Sequence, residues 1–174
     1  AGGQVAPIFA QQSIREMGRT VRTPQEVMDA ATWGMFAEGW TLGAGADADH
    51  LKTPADIDSC LAAGFTFFTI DPGAHVDDRA AHFDLSGLRE LAALLPPEVQ
   101  PAASGLLNRM VNVEGLKLTF DEVSLLRAAV KYGRAVAHVA AMYRHLESSA
   151  ASPFELEASV DETEPPTPHS EHLY

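Results

Sequence analysis

The segment Gly43–His50, GAGADADH, contains the side chains of this chain that are best suited to chemistry. It sets Asp49 beside His50, two residues after Asp47, in a stretch too rich in glycine and alanine to form a core by itself. Neutral imidazole is the commonest nitrogen ligand of catalytic divalent metals, and a nearby carboxylate can complete the ligand set or accept a proton. The segment is therefore a candidate site in which His50 binds a metal and Asp49 handles a proton.

The same residues have a simpler explanation. An aspartate ahead of Thr53 and Pro54 can cap the helix that follows, and His50 is then only a solvated side chain. Aspartate followed by histidine is a weak motif, and spacing alone favours the two interpretations about equally.

A second candidate lies in the predicted strand Phe154–Val160. Side chains alternate along a strand, so Leu156, Ala158 and Val160 share one face, and the other face carries Glu155, Glu157, Ser159 and Asp161. If that second face lines the interior of a barrel, Glu157 is desolvated and its pKa rises toward the range of a general acid. Glu162 then points away or belongs to the following loop. The alternative is an exposed edge strand whose acids face water.

Helix starts position these candidates. Thr23-Pro24 and Thr53-Pro54 each combine an N-cap threonine, a proline at the first helical position and an acid three residues after the cap. Thr119–Glu122 is a capping box without proline, and it precedes the longest predicted helix, which ends near Ser148-Ser149. That helix has one apolar stripe, formed by Leu125, Ala129, Tyr132, Val136, Val139, Tyr143 and Leu146. A further helix is predicted over Ser86–Leu95.

Strands are predicted between the helices. Phe65–Ile70 is aromatic and β-branched, and a weaker candidate is Trp40–Ala46, whose glycines disfavour a strand interior. With the helix Pro54–Ala63 between them, these strands predict a right-handed parallel βαβ unit. The fold class is therefore α/β, as part of a TIM-like (β/α) barrel with parallel strands. Function in such folds lies at the carboxyl ends of the strands, where Asp49, His50 and Asp71 are found.

Composition excludes several classes of function. The formal charge is −12, from 24 acidic and 12 basic residues, which argues against nucleic acid and anionic membranes as partners. The single cysteine, Cys60, allows neither a disulfide framework nor a cysteine zinc site, fits a reducing cytoplasm, and is predicted to be a small apolar filler. No apolar run is long enough to span a bilayer, and the N-terminus has no signal-peptide pattern. Of the remaining histidines, His138 and His145 lie on the longest predicted helix and are predicted to be solvated. His75 and His82 are loop residues with no visible partner, and His169 and His172 lie near the C-terminus.

Five segments, in order along the chain, resemble the tagaturonate epimerase family: IFAQQSIRE, RTPQEVMDAATWGMFAEGW, GADADHLKTPADI, GFTFFTIDPGAHVD and SVDETEPPTP. Members interconvert tagaturonate and fructuronate in bacterial hexuronate catabolism and use a divalent metal cation. The resemblance implies that Asp49 is the proton acceptor, His50 a metal ligand and Glu157 the proton donor. Gln11, Gln12 and Asp71 also match the family and are implied to contact the substrate or support the site.

The family resemblance further implies that this chain is part of a longer enzyme. Family members have segments before and after the matching part, and further metal-binding histidines lie in the later one. Three strands are readable here, whereas a (β/α) barrel has eight. We therefore expect residues 1–174 to form a partial barrel catalytic domain that has no epimerase activity and no tight metal site alone.

Two alternatives remain beside a metal-dependent epimerase acting on a small uronate. One is another metal-dependent sugar isomerase or aldolase on the same barrel. The other is a non-catalytic binding or scaffold fragment whose acids only solvate the surface. Metal identity, the preferred uronate and oligomeric state are left open by the sequence.

Overall fold

A computed structural model describes residues 5–161 and 163–174, apart from the side chain of Ala103, so the expectation for Glu162 lies outside the described residues. The chain divides into two compact units. The first unit consists of Ala1–Asp71 and Ala141–Ser159, and the second consists of Pro72–Ala140 and Val160–Tyr174.

The strands, in chain order, are β1 (Ile8–Ser13), β2 (Gly45–Leu51), β3 (Phe67–Ile70), β4 (Met110–Val113), β5 (Leu116–Thr119) and β6 (Glu155–Ala158). The α-helices are α1 (Ile14–Thr20), α2 (Pro24–Ala37), α3 (Pro54–Ala63), α4 (Leu85–Ala93), α5 (Pro101–Ser104), α6 (Glu122–Ser149) and α7 (His169–Leu173). None of the helices within the described ranges is long and apolar enough to cross a membrane.

The first unit is built on a parallel sheet with strand order β1-β2-β3-β6. This confirms the prediction of an α/β fold with parallel strands. Across the sheet, Ser13 lies opposite Asp49, Asp47 opposite Phe67, and Thr69 opposite Glu157. Since residues in register on neighbouring strands point to the same face, side chains from all four strands can converge there.

The predicted strand Trp40–Ala46 is wrong, because the strand is β2 and begins at Gly45. The prediction followed β-propensity, and the glycines ahead of β2 lack the side chains that a strand packs. The informative signal was the alternation of buried Ala46 and Ala48 with the partly exposed Asp47 and Asp49. As a result, the aspartates and His50 lie within the strand rather than in a loop after it.

Two further pieces of β-structure went unpredicted. β1 is apolar only over its first three residues and ends in three polar ones, so it has no long apolar or alternating run that marks a strand. β4 and β5 form an antiparallel hairpin in the second unit. Its two-residue turn has φ of 50° at Glu114 and 89° at Gly115, and such turns match the twist of the flanking strands.

The threonine-proline helix starts are confirmed. The Thr23 hydroxyl accepts a hydrogen bond from Glu26 N at 3.2 Å, and the Thr53 hydroxyl accepts one from Asp56 N at 3.3 Å. The predicted cap at Thr119 is wrong, because Thr119 belongs to β5 and the carboxylate of Asp121 accepts from Ser124 N at 2.7 Å instead. Since the carboxylate satisfies a free N–H of the first turn, α6 begins two residues later than the motif suggested.

The helix α6 ends where it was predicted to end, at Ser149. Its apolar stripe is only partly buried: Leu125, Ala129 and Leu146 are inaccessible, whereas Val136 and Tyr143 are exposed. In the second unit, Leu126, Ala129 and Val130 of α6 pack with Leu88 and Ala92 of α4. Hydrophobic burial against α4 is therefore one source of the helix's stability.

Cys60 and the histidines have defined environments. Cys60 is fully buried on α3, as its role of apolar filler requires, and burial raises the pKa of its thiol to about 11. The prediction that His75 has no partner is wrong, and His138 and His145, which were predicted to be solvated, also have partners. His75 stacks on His138 with ring centroids 4.2 Å apart, and His145 Nε2 lies 2.7 Å from a carboxylate oxygen of Asp58.

A buried lysine lies in the second unit. Lys131 on α6 is 1% exposed, and its Nζ lies 3.4 Å from Asp78 Oδ1 and 3.6 Å from Glu171 Oε2. The ammonium also lies 5.0 Å from the centre of the Tyr132 ring. Because Glu171 belongs to α7, this cluster joins the last helix to α6 by charge.

Replacing Lys131 with Met should destabilise the second unit by about 3 kcal/mol, because two carboxylates then lose the charge that compensates their burial. The lower end of the range for broken buried pairs applies because Asp78 keeps some contact with water. Urea denaturation of the chain measures this change. Lys117→Met, at an exposed position of β5, is the control and should change stability by less than about 0.5 kcal/mol. Equal stability of the two variants would contradict the prediction.

Candidate functional site

The candidate residues of the first unit meet on one face of the parallel sheet. Asp49 is held through both carboxylate oxygens: Gln11 Nε2 donates a hydrogen bond to Oδ2 at 3.0 Å, and His50 Nδ1 lies 2.5 Å from Oδ1. The side chain of Asp49 is 17% exposed and that of His50 is 37% exposed. The Asp49 carboxylate is thus fixed in orientation but remains reachable by a small molecule.

The backbone of His50 explains how two adjacent residues of a strand can share one site. In a regular strand, neighbouring side chains point to opposite faces. His50 has φ of 54°, in the left-handed region, and the pairing of β2 with β3 shifts register between Ala48 and Leu51. This irregularity lets the imidazole contact the carboxylate beside it. A non-glycine residue in this region costs on the order of 1 kcal/mol, and such residues cluster at functional sites.

Asp47 brings a second carboxylate to this face. The hydroxyl of Thr69, which is buried on β3, donates to Asp47 Oδ1 at 3.2 Å. Burial raises the pKa of Asp47, and the negative charges of Asp49 and Glu157 raise it further, against the Thr69 hydrogen bond and the charge of His50. The carboxylates of β2 and β6 are therefore close enough to interact. No role was predicted for Asp47 from the sequence, although its position two residues before Asp49 was the available signal.

Glu157 lies on β6, in register with Thr69. Its predicted burial is wrong for this chain: β6 is an edge strand of the described sheet, and Glu157 is exposed. The predicted strand was also too long, because β6 covers only Glu155–Ala158. The assignment of its face stands, since Glu157 interacts electrostatically with Asp47 across β3.

The other residues implied by the family resemblance are distributed differently. Gln11 reaches Asp49, whereas the amide of Gln12 donates to Thr20 Oγ1 at 3.4 Å. Asp71 follows β3, and its Oδ2 lies 3.0 Å from Lys52 Nζ. Gln11 therefore belongs to the site directly, and Asp71 is partly neutralised beside it.

The metal-ligating potential of the described residues is limited. Within residues 5–161 and 163–174, no group of three or more His, Cys, Asp or Glu side chains is arranged to hold a metal ion. His50 nevertheless has a feature of metal-binding histidines, since a carboxylate at one ring nitrogen orients the imidazole. The described donors at this face are one imidazole with carboxylates beside it, which is fewer than a complete metal site needs.

Comparison with known proteins identifies what this arrangement resembles. The sequence profile of the family UxaE, tagaturonate epimerase, matches residues 1–174. A protein of Thermotoga maritima named tagaturonate/fructuronate epimerase is 44% identical over 168 residues, which are 97% of this chain and 34% of that protein.

Solved structures of the fructuronate-tagaturonate epimerase UxaE from Cohnella laeviribosi have the same fold. The native structure gives a TM-score of 0.87 at 36% identity, over 97% of this chain and 34% of that one. A complex with two glycerol molecules gives 0.89 at 35% identity, over 99% and 35%. The chain thus spans about a third of the length of the relatives it matches.

Proposed function

The chain belongs to the tagaturonate epimerase family, and on that premise we propose that the complete polypeptide containing it is an isomerase that interconverts D-tagaturonate and D-fructuronate. The observation that carries the proposal is the convergence of Asp49, held by Gln11 and His50, with Glu157 on one face of the parallel sheet. An acceptor and a donor of protons, fixed on strands, are what an epimerase needs. The substrate is a small uronate of hexuronate catabolism, and we assign the enzyme to the cytoplasm.

The chemistry of the substrates restricts the route. Tagaturonate and fructuronate differ at a carbon β to the ketone, so simple enolisation acidifies the wrong carbon. In a retro-aldol route, the base removes the proton of the hydroxyl on the inverted carbon, and the bond from that carbon to the α-carbon breaks. The products, an aldehyde and an enediolate, remain bound while the aldehyde rotates. The bond then forms again on the other face, and the acid protonates the new alkoxide.

The residues divide this work between two strands. Asp49 is the base, because Gln11 and His50 orient its carboxylate while part of it stays accessible. Glu157 is the acid, across β3 from the aspartates. Solvent deuterium distinguishes this route from direct proton exchange at the inverted carbon, since only direct exchange incorporates deuterium there.

We propose that His50 is a ligand of a divalent metal cation. When bound, such a cation acts as a Lewis acid that stabilises negative charge on the substrate oxygens. Within the described ranges no group of three or more His, Cys, Asp or Glu side chains could hold a metal ion, so the remaining ligands are expected from other parts of the complete polypeptide. The 174-residue chain alone is accordingly expected to give neither tight metal binding nor turnover.

His50→Ala should lower the affinity of the complete polypeptide for divalent metal by more than about 10-fold, because one protein ligand is lost. Calorimetric titration of the metal-free protein measures this. Asp49→Asn keeps an oxygen that can accept from the imidazole and should leave metal affinity nearly unchanged, and His82→Ala, at an exposed position of the second unit, is the control. If His50→Ala binds the metal as tightly as the control does, His50 is not a metal ligand.

We further propose that the parallel sheet is part of a TIM-like (β/α) barrel catalytic domain. Its support is the run of parallel strands joined through helices, with the proposed site on one face. Closure of a barrel removes sheet edges. Another strand alongside β6 would turn the exposed Glu157 into an interior residue, which suits a general acid.

The decisive experiment is a substrate panel with the complete polypeptide. Tagaturonate and fructuronate should interconvert, whereas other ketoses and aldoses should react much more slowly. Preferred turnover of another sugar would favour a different metal-dependent isomerase or an aldolase. No turnover of any sugar, together with unchanged behaviour of the Asp49→Asn and His50→Ala variants, would favour a scaffold.

A further inference from the structure

A cleft in the first unit carries positive charge beside the proposed site. Its volume is about 720 Å³, and the polar residues among those that line it are Gln11, Gln12, Glu16, Arg19, Thr20 and Arg22. The glutamate is already engaged, because Glu16 Oε2 accepts from Ser13 N at 3.2 Å at the start of α1. Two guanidinium groups thus face one cleft in a chain whose formal charge is −12.

Arg22 is held in place by hydrogen bonds and forms no direct ion pair with a described residue. Its Nη2 donates to the backbone oxygen of Glu26 at 2.9 Å, and its Nη1 donates to Gln12 Oε1 at 3.5 Å. Among the described residues, neither Arg22 nor Arg19 forms an ion pair. Hydrogen bonds from Thr23 lower the pKa of Glu26 and the charge of Arg22 helps to lower it, but the side chains of Arg22 and Glu26 form no direct ion pair. A fixed guanidinium without a direct ion pair is well suited to bind an external carboxylate, because its planar fork matches the two carboxylate oxygens.

The backbone that presents Arg22 is itself unusual. Val21, between the two arginine-bearing segments, has φ of 54°, and its side chain is 88% exposed. A β-branched residue is disfavoured in this left-handed region, and burial of the Val21 side chain does not compensate for the strain, because Val21 is exposed. The turn ends α1 and directs the next residue, Arg22, toward Gln12.

The cleft and the proposed base share a residue. Gln11 lines the cleft and also donates to Asp49 Oδ2 at 3.0 Å. In the two uronates the carboxylate is separated from the inverted carbon by two bonds, so the group that binds the carboxylate must lie next to the base. A cleft that begins at Gln11 meets this requirement.

We propose that this cleft binds the carboxylate of the uronate, with Arg22 as the main contact and Arg19 as a second one, and thereby selects uronates over neutral ketoses. The proposal rests on the proposed function, since it concerns the same substrate. A neutral ketohexose of the same configuration lacks the charge that would compensate the two guanidinium groups.

The test compares Arg22→Met with wild type in the complete polypeptide. The KM for fructuronate should rise about 10- to 100-fold, the size expected for lost charge-assisted hydrogen bonds, while kcat changes by less than a few-fold. The much slower reaction of the neutral ketohexose should be unaffected. Arg15→Met, on the same helix as Arg19 but outside the cleft, is the control and should leave both reactions unchanged.

The outcomes separate the two proposals. Wild-type protein that does not convert fructuronate would reject the proposed function. Active wild-type protein with an unchanged KM in Arg22→Met, or with equal losses on charged and neutral substrates, would overturn the carboxylate site alone. If Arg22→Met fails to fold, Arg19→Met decides, because Arg19 is exposed and its loss should raise the KM for fructuronate only; no rise there overturns the proposal.

Discussion

Asp49→Asn should lower kcat of the complete polypeptide by a factor of about 100 to 10,000, the usual contribution of a general base. Asparagine has nearly the same shape. Its amide oxygen can still accept from His50, and its amide nitrogen can donate to Gln11 Oε1 once the Gln11 amide turns over, while the basic oxygen is lost. Steady-state turnover of tagaturonate, followed with metal content and thermal stability, measures the effect. Size, fold and bound metal should be unchanged.

A matched control is Asp29→Asn on α2, an exposed aspartate of the same unit. Its turnover should remain within a factor of about two of wild type, as for surface substitutions away from the site. If Asp49→Asn kept turnover within a few-fold, the base would have to be another residue. If it lost as much metal as His50→Ala, Asp49 would be a ligand instead.

Glu157→Gln should reduce turnover by a similar factor of about 100 to 10,000, because glutamine keeps the size of the side chain but donates no acidic proton. Glu155→Gln provides a close control: both glutamates lie exposed on β6, but Glu155 pairs with Phe67 and Glu157 with Thr69. Although Glu155 lies in the same row of the sheet as Asp47, of the two glutamates only Glu157 contributes its charge to the raised pKa of Asp47. Equal turnover in the two variants would remove Glu157 from the mechanism.

The sequence predicted well the elements whose signals are local. α2 and α3 were predicted from threonine-proline starts whose caps are present in the structure. β3 was predicted from its aromatic and β-branched residues, although its first two predicted residues lie outside the strand. In these segments propensity, capping and burial agree, so each is recognisable without its neighbours.

β1 and β2 were missed or misplaced because long-range pairing outweighs local preference in them. Alanine and aspartate are poor strand formers, yet β2 lies between β1 and β3, and Ala46 and Ala48 are buried there. The Thr119 cap failed for a related reason. Residues Leu116–Thr119 pair with β4, which removes the threonine from the helix start.

The candidate site was likewise predicted in part: its residue types were recognised, but the contacts between distant residues were not. Residue types and the family resemblance singled out Asp49, His50 and Glu157, and alternation assigned the correct face to Glu157. The sequence did not predict that Gln11 holds Asp49 or that Thr69 holds Asp47, because those contacts join residues 38 and 22 positions apart. Nor could alternation place His50 beside Asp49, since that contact depends on a left-handed backbone.

The left-handed backbone at His50 sets stability against catalytic function at this position. Glycine, and to a lesser degree asparagine, adopts this conformation with little strain, so the histidine at this position costs some folding stability. A library screened only for heat resistance would therefore favour variants that lose the imidazole. Engineering of a more thermostable variant should therefore keep His50 unchanged from the start and look for stabilising substitutions elsewhere in the sheet.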